Sequence, residues 1–240
     1  MNEIEHTPTY RVIDCRWSLD DPEAGRRAYR DGHIPGAVFV DVERDLAAPP
    51  GAGGRHPLPD AERFAEAMGR AGITSDTFVI AYGSLGGAER LWWLLRHFGH
   101  DACAVIGLES WRGTLVTGDG PPGAPARFVA RPRSDTTISA DTLGSHRHNL
   151  VIVDARIPAR FHGDENPIDV RPGRIPGALN APWNTPLPEL PPGDLVAYCG
   201  SGITACVVLH HLHLAGRHGL LYPGSWSEWE QRDDLPRVRG

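Results

Sequence analysis

Residues 195–205 read LVAYCGSGITA: an apolar run, a cysteine, a glycine-rich turn, then the start of a helix-length apolar stretch. In a parallel α/β sheet, ligands bind beyond the carboxyl ends of the strands. Cys199 falls there if residues 195–198 form a buried strand. A tight turn containing Gly200 and Gly202 lets successive backbone N–H groups converge into an anion-binding nest. The positive end of the following helix adds to that field. Both effects favour thiolate over thiol, the nucleophilic form of cysteine.

The neighbouring residue types narrow the chemistry. A cysteine phosphatase grips phosphate with an arginine six residues after the cysteine, and that position is Ala205. Thioredoxin-type exchange needs a second cysteine three positions on, and that position is Gly202. A papain-like hydrolase is compatible with the spacing, but the loop suits an anion better than an acyl group. The remaining fit is a sulfur carrier, in which the thiolate takes up a sulfur atom and backbone amides stabilise the persulfide anion.

The elements that must position this loop are repeated. The chain has 240 residues, enough for one large domain or two small ones with real cores. YRVIDCR at 10–16 has a counterpart in VIVDAR at 151–156, GHIPGA at 32–37 in GRIPGA at 173–178, VIAY at 79–82 in LVAY at 195–198, and Ser110-Trp111 in Ser225-Trp226. Four blocks in the same order mark duplicated domains. The offset falls from 140 at Asp14/Asp154 to 116 at Tyr82/Tyr198, so about 25 residues of the first copy are missing from the second. In the first copy that stretch holds an amphipathic helix over 60–70 ending at Gly72; the second has only proline-rich TPLPELPP at 185–192, which cannot form it. Short apolar strands (12–14, 78–82, 104–106, 195–198, 219–222) alternate with helix-length segments (90–98, 205–214). Each half is therefore an α/β unit with a mainly parallel sheet flanked by helices. The expected boundaries are 1–120 for the first domain, 121–135 for a Gly/Pro-rich linker, and 136–240 for a shortened second domain.

Composition excludes several classes. Twenty-four basic against 30 acidic residues give a net charge of −6, a poor basis for nonspecific nucleic-acid binding. All the basic residues are arginine, so lysine Schiff bases, a pyridoxal-phosphate anchor and a P-loop lysine are excluded. No apolar run approaches a membrane span, and residues 1–10 lack a basic-then-apolar signal pattern, so a cytoplasmic protein is expected. Four scattered cysteines (Cys15, Cys103, Cys199, Cys206) read as free thiols.

With these residues in hand, the chain resembles the tandem-rhodanese sulfurtransferases over nearly its whole length. The first copy carries GHIPGA (32–37) and GRHPLP (54–59), like the inactive N-terminal rhodanese domain. The second carries the CGSGITA loop (199–205) and the closing YPGSWSEW (222–229), like the catalytic one. The resemblance implies a persulfide on Cys199, with Gly200, Gly202, Ile203, Thr204 and Ala205 lining the donor's site. The first copy is silent, since Tyr82 is followed by Gly83 and no cysteine stands in 83–88. The loop is similar to that of mercaptopyruvate sulfurtransferases, Ile203 replacing a valine; thiosulfate-preferring members usually carry arginine and lysine there. By resemblance, Ser201 polarises or protonates near the departing sulfur and His33 completes a relay. The carboxylate of the donor falls to Arg160. A second arginine expected near Pro167 does not align, and Arg171 or Arg174 stands in. The resemblance further implies cyanide, a dithiol or a thioredoxin-like protein as acceptor, and no metal or organic cofactor. The alternatives are a thiosulfate sulfurtransferase and a noncatalytic sulfur-relay module.

Other residues have plainer readings. Cys206, Cys15 and Cys103 read as packing thiols. His210, His211, His213 and His218 match no zinc spacing. Trp92, Trp93, Trp226 and Trp229 read as core. His33 is equally a backbone-bonding residue beside a proline turn, and Arg160 taken alone is a surface ion-pair partner.

Overall fold

The computed structural model describes residues 9–120, 125–164 and 168–240. Residues 1–8, part of the expected linker (121–124) and the Pro167 position lie outside the described residues. The chain forms two compact units.

The first unit takes the chain up to Leu46 together with Asp60–Pro132. It contains β1 (Tyr10–Cys15), α1 (Ala24–Asp31), β2 (Val38–Phe39), α2 (Ala61–Arg70), β3 (Phe78–Gly83), α3 (Gly87–His97) and β4 (Cys103–Val105). Its sheet has the order β2-β1-β3-β4, and every pairing is parallel. The helix expected over 60–70 is α2. Asp60 caps it by accepting from the Arg63 N–H, and Phe64, Ala67 and Met68 turn into the core.

The second unit takes Arg133–Gly240 and also Ala47–Pro59, a segment of the first repeat. It contains α4 (Ala140–His146), β5 (Val151–Asp154), α5 (Pro158–His162), β6 (Leu179–Asn180), β7 (Leu195–Tyr198), α6 (Ala205–Leu214), β8 (Gly219–Leu221) and α7 (Ser225–Trp229). The sheet order β6-β5-β7-β8, again parallel, copies the first. No helix stands between β6 and β7, where α2 stands in the first unit. All four residues of β7 are buried, as a central parallel strand covered on both faces requires. Trp226 and Trp229 are fully buried with Tyr198, Tyr222 and Ile175 in one core cluster.

The repeated blocks prove to be one structural device used twice. Asp14 and Asp154 stand at the carboxyl ends of β1 and β5, Asp14 one residue before the last, and each grips an arginine two residues on through a forked contact: Arg16 Nη2–Asp14 Oδ2 at 2.6 Å and Arg156 Nη2–Asp154 Oδ2 at 2.7 Å. The same Nη2 atoms donate to Gly32 O and Gly173 O, both at 2.7 Å. The IPGA blocks are tight turns. Ala37 N donates to Ile34 O and Ala178 N to Ile175 O, with Gly36 and Gly177 at φ 78° and 83°. That combination of proline then left-handed glycine is a type II turn. Tyr82, one residue before the end of β3, and Tyr198, the last of β7, accept at Oη from the Ile34 and Ile175 amides. The blocks thus knit two strand ends and a turn at the carboxyl edge of each sheet. Among the described residues, no helix is long and apolar enough to cross a membrane.

Candidate active site

Cys199 follows β7 directly, at the carboxyl end of a central strand, and is only 1% exposed. Gly202 adopts φ 84°, a left-handed conformation that an L side chain resists. Its N–H donates to Cys199 Sγ at 3.1 Å. The loop then enters α6, whose first residues Ala205 and Cys206 are buried. Of the nest expected at 199–205, one main-chain donor, the Gly202 amide, lies on the sulfur, and α6 begins at Ala205.

What fixes the loop is the closing motif. Ser225 is a non-glycine residue at φ 53°, fully buried, whose hydroxyl accepts from Cys199 N (3.1 Å) and donates to Tyr222 O (3.0 Å). The next two amides, Trp226 and Ser227, donate to Cys199 O and Gly200 O, each at 2.9 Å. The carbonyls of Cys199 and Gly200 are thereby held from α7. Strain at Ser225 at a site of such contacts is the kind that surrounding structure must enforce.

Ser201 is buried, and its Oγ lies 2.7 Å from Nδ1 of His56, itself buried. His56 belongs to the GRHPLP segment, which packs with the second unit: Arg55 N donates to Ser227 Oγ at 3.0 Å. The imidazole that reaches Ser201 is therefore His56. His33, expected in that relay, is 1% exposed in the first unit, where its ring stacks on Tyr29 at 3.9 Å and Nδ1 lies 2.8 Å from Tyr29 O.

The loop itself carries no cation, yet two guanidinium groups reach it from elsewhere. A methyl group placed on Gly200 would lie 2.9 Å from Nη2 of Arg55 and 2.9 Å from Nη2 of Arg160. Asp169 gathers both: Arg160 Nη2–Oδ1 is 2.6 Å and Arg55 Nη1–Oδ1 is 3.3 Å, with Arg156 Nη1 at 3.5 Å from Oδ2. Arg160 is thus beside the loop as expected, from α5. Burial disfavours the charge of Arg156, but Asp154, and after it Tyr198 and Asp169, outweigh it, and the guanidinium stays protonated at all working pH. Arg171 is half-buried and paired with the exposed Asp233 at 2.5 Å, while Arg174 lies over the Phe161 ring. Ile203 and Ala205 are buried under the loop, and Thr204 precedes α6.

The remaining thiols differ in kind. Burial, and then Asp14, push the Cys15 thiol well up, and burial pushes Cys103 up to about 12. Cys206 Sγ donates to Gly202 O at 3.3 Å within α6 packing. The first unit has no room for a counterpart: a side chain at Gly83, which aligns with Cys199, would put Cβ 2.8 Å from Cys15 O. Among the described residues, no group of three or more His, Cys, Asp or Glu side chains is placed to hold a metal ion.

Known proteins resemble this chain over most of its length. Residues 1–114 and 139–232 match the family described as "Rhodanese-like domain". The chain is 40% identical over 254 residues to a "Probable 3-mercaptopyruvate sulfurtransferase" of Pseudomonas aeruginosa, covering 92% of this chain and 89% of the relative. It is 33% identical over 258 residues to a thiosulfate sulfurtransferase of Gallus gallus, covering 92% and 86%. A solved 3-mercaptopyruvate sulfotransferase from Escherichia coli superposes with a TM-score of 0.76 at 33% identity, covering 92% of this chain and 94% of that one.

Proposed function

The chain belongs to the rhodanese-like family and is a sulfurtransferase, and from that premise we propose that it moves sulfur from 3-mercaptopyruvate to a thiol-type acceptor through a persulfide on Cys199. The observation that carries this reading is the Gly202 N–H on Cys199 Sγ beside a buried Ser201–His56 pair. The Cys199 thiolate attacks the donor's sulfur and the carbon–sulfur bond breaks. Its electron pair passes into the enolate of pyruvate, which takes the donor's thiol proton at carbon. The outer sulfur stays on Cys199 as a persulfide anion. Ser201, bonded to His56, supplies a hydroxyl where negative charge develops on the keto oxygen, the kind of preorganised donor that lowers such barriers. The relay assigned by resemblance to His33 runs in this reading through His56, the imidazole in contact. Gly200, Gly202, Ile203, Thr204 and Ala205 shape the donor's pocket, and Arg160 meets its carboxylate. Arg171, paired at the surface, has no part in it.

The second step returns the thiolate: an acceptor thiol, cyanide or a thioredoxin-like dithiol attacks the outer sulfur and Cys199 leaves. Four free cysteines suit the reducing conditions of the cytoplasm, where we place the reaction. A second reading is favoured by one observation. The guanidinium pair at Gly200 also suits the thiosulfate dianion, and the Gallus gallus relative bears that donor's name. Turnover with the two donors decides: 3-mercaptopyruvate should give the higher kcat/KM, and thiosulfate doing so would reverse the assignment.

A further inference from the structure

We infer that Arg55, a residue of the first repeat, supplies the second guanidinium of the donor's carboxylate cradle and so sets preference for carboxylate-bearing thiols; the inference rests on the sulfurtransferase reading above. Arg55 and Arg160 reach the loop from opposite repeats, 105 residues apart in sequence, yet their Nη2 atoms lie equally close to the open face of Gly200. Gly200 directly follows Cys199 in the chain. It keeps that face clear, since any larger residue would meet both guanidinium groups.

The pair is held ready. One oxygen of Asp169 accepts from Arg55 Nη1 and Nη2 at 3.3 Å and from Arg160 Nη2 at 2.6 Å. Asp169 is a positioning residue, fixing two long side chains before the donor arrives, which lowers the ordering cost of binding. The contacts of Arg55 are long, and its Nε is buried with no hydrogen-bond partner among the described residues. Donor capacity therefore remains on this guanidinium, and a carboxylate with two oxygens matches two guanidinium forks. The main chain of Arg55 is anchored separately, by its amide on Ser227, so the side chain is not what seats the segment.

The test compares wild type, Arg55→Gln and Arg55→Lys with two donors: 3-mercaptopyruvate and mercaptoacetone, which keeps the keto group and thiol but lacks the carboxylate. Arg55→Gln should raise KM for 3-mercaptopyruvate about ten- to a hundredfold, leave its kcat nearly unchanged, and leave mercaptoacetone kinetics as in wild type. Arg55→Lys, which keeps charge without the fork, should fall between. In the Cys199→Ser background, where sulfur cannot transfer, Arg55→Gln should weaken calorimetric binding of 3-mercaptopyruvate by the same factor. Unchanged KM and Kd, or equal losses with both donors, would overturn the inference while leaving the enzyme a sulfurtransferase. Wild type that transfers sulfur from neither donor would instead overturn the reading beneath it.

Discussion

Cys199 is buried, with the Gly202 amide on its sulfur and α6 beginning at Ala205. Persulfide chemistry needs such a main-chain donor on the outer sulfur's anion while access is preserved for a small donor. The Ser201–His56 pair is the next most consequential contact. His56→Gln should lower kcat by about a hundredfold, within the range for positioned acid–base groups, and Ser201→Ala by a similar factor. Because the two side chains act as a unit, the double variant should lose little beyond the larger single loss; additive losses in steady-state kinetics would separate them. At this scale the sequence pointed to Cys199 through its place at a strand end before a glycine-rich turn, but to Ser201 and Arg160 only through the family resemblance, Arg160 taken alone reading as a surface ion-pair partner. It did not reveal His56. That residue stood within GRHPLP, a block noticed for its resemblance, but its partner lies 145 residues away, and no spacing rule pairs them.

The elements explain why the loop and the closing motif travel together. The amides of α7 hold the carbonyls of the cysteine loop, and Ser225 holds Cys199 N. Ser225→Ala removes that acceptor, leaving a buried amide unpaired, and should cost about 1–3 kcal/mol of stability in urea denaturation along with much of the activity. An unchanged denaturation midpoint would show that the hydroxyl is dispensable. Gly202→Ala should cost about 1–2 kcal/mol through its left-handed backbone and reduce persulfide formation by distorting the loop whose amide lies on the sulfur. The repeat blocks were legible because a type II turn requires proline then glycine, and because the Asp–Arg–Tyr contacts at each sheet edge require those residue types. The left-handed serine was not legible: serine has no marked preference for φ > 0, and only the contacts it makes show why it is held there.

Across the whole molecule, the duplicated sheets account for most of what the sequence showed: element order, parallel pairing and the absent helix between β6 and β7. The departure is Ala47–Pro59, which folds with the second unit and carries Arg55 and His56 to it. A linear reading assigns those residues to the first domain, because packing of a loop across a repeat boundary leaves no periodic trace. Charge state also couples to the stability of the whole fold. Burial, and then His211 and His213, lower His210 to about 4, against an unfolded value of about 6.5. Between those pH values the unfolded chain binds a proton that the folded chain refuses. The stabilising contribution is therefore complete above about pH 6.5 and is lost as pH falls towards 4. His210→Gln should flatten the fall in denaturation midpoint between pH 7.5 and 5, and a slope identical to wild type would assign that loss to other groups such as His100, which burial also lowers.

The account stands on sulfur residing at position 199, and whole-protein and peptide mass spectrometry after incubation with 3-mercaptopyruvate measures this directly. The predicted result is a gain of about 32 Da on the peptide containing Cys199, removed by cyanide and absent in Cys199→Ser. No gain, or a gain carried by Cys206, Cys15 or Cys103, would contradict it.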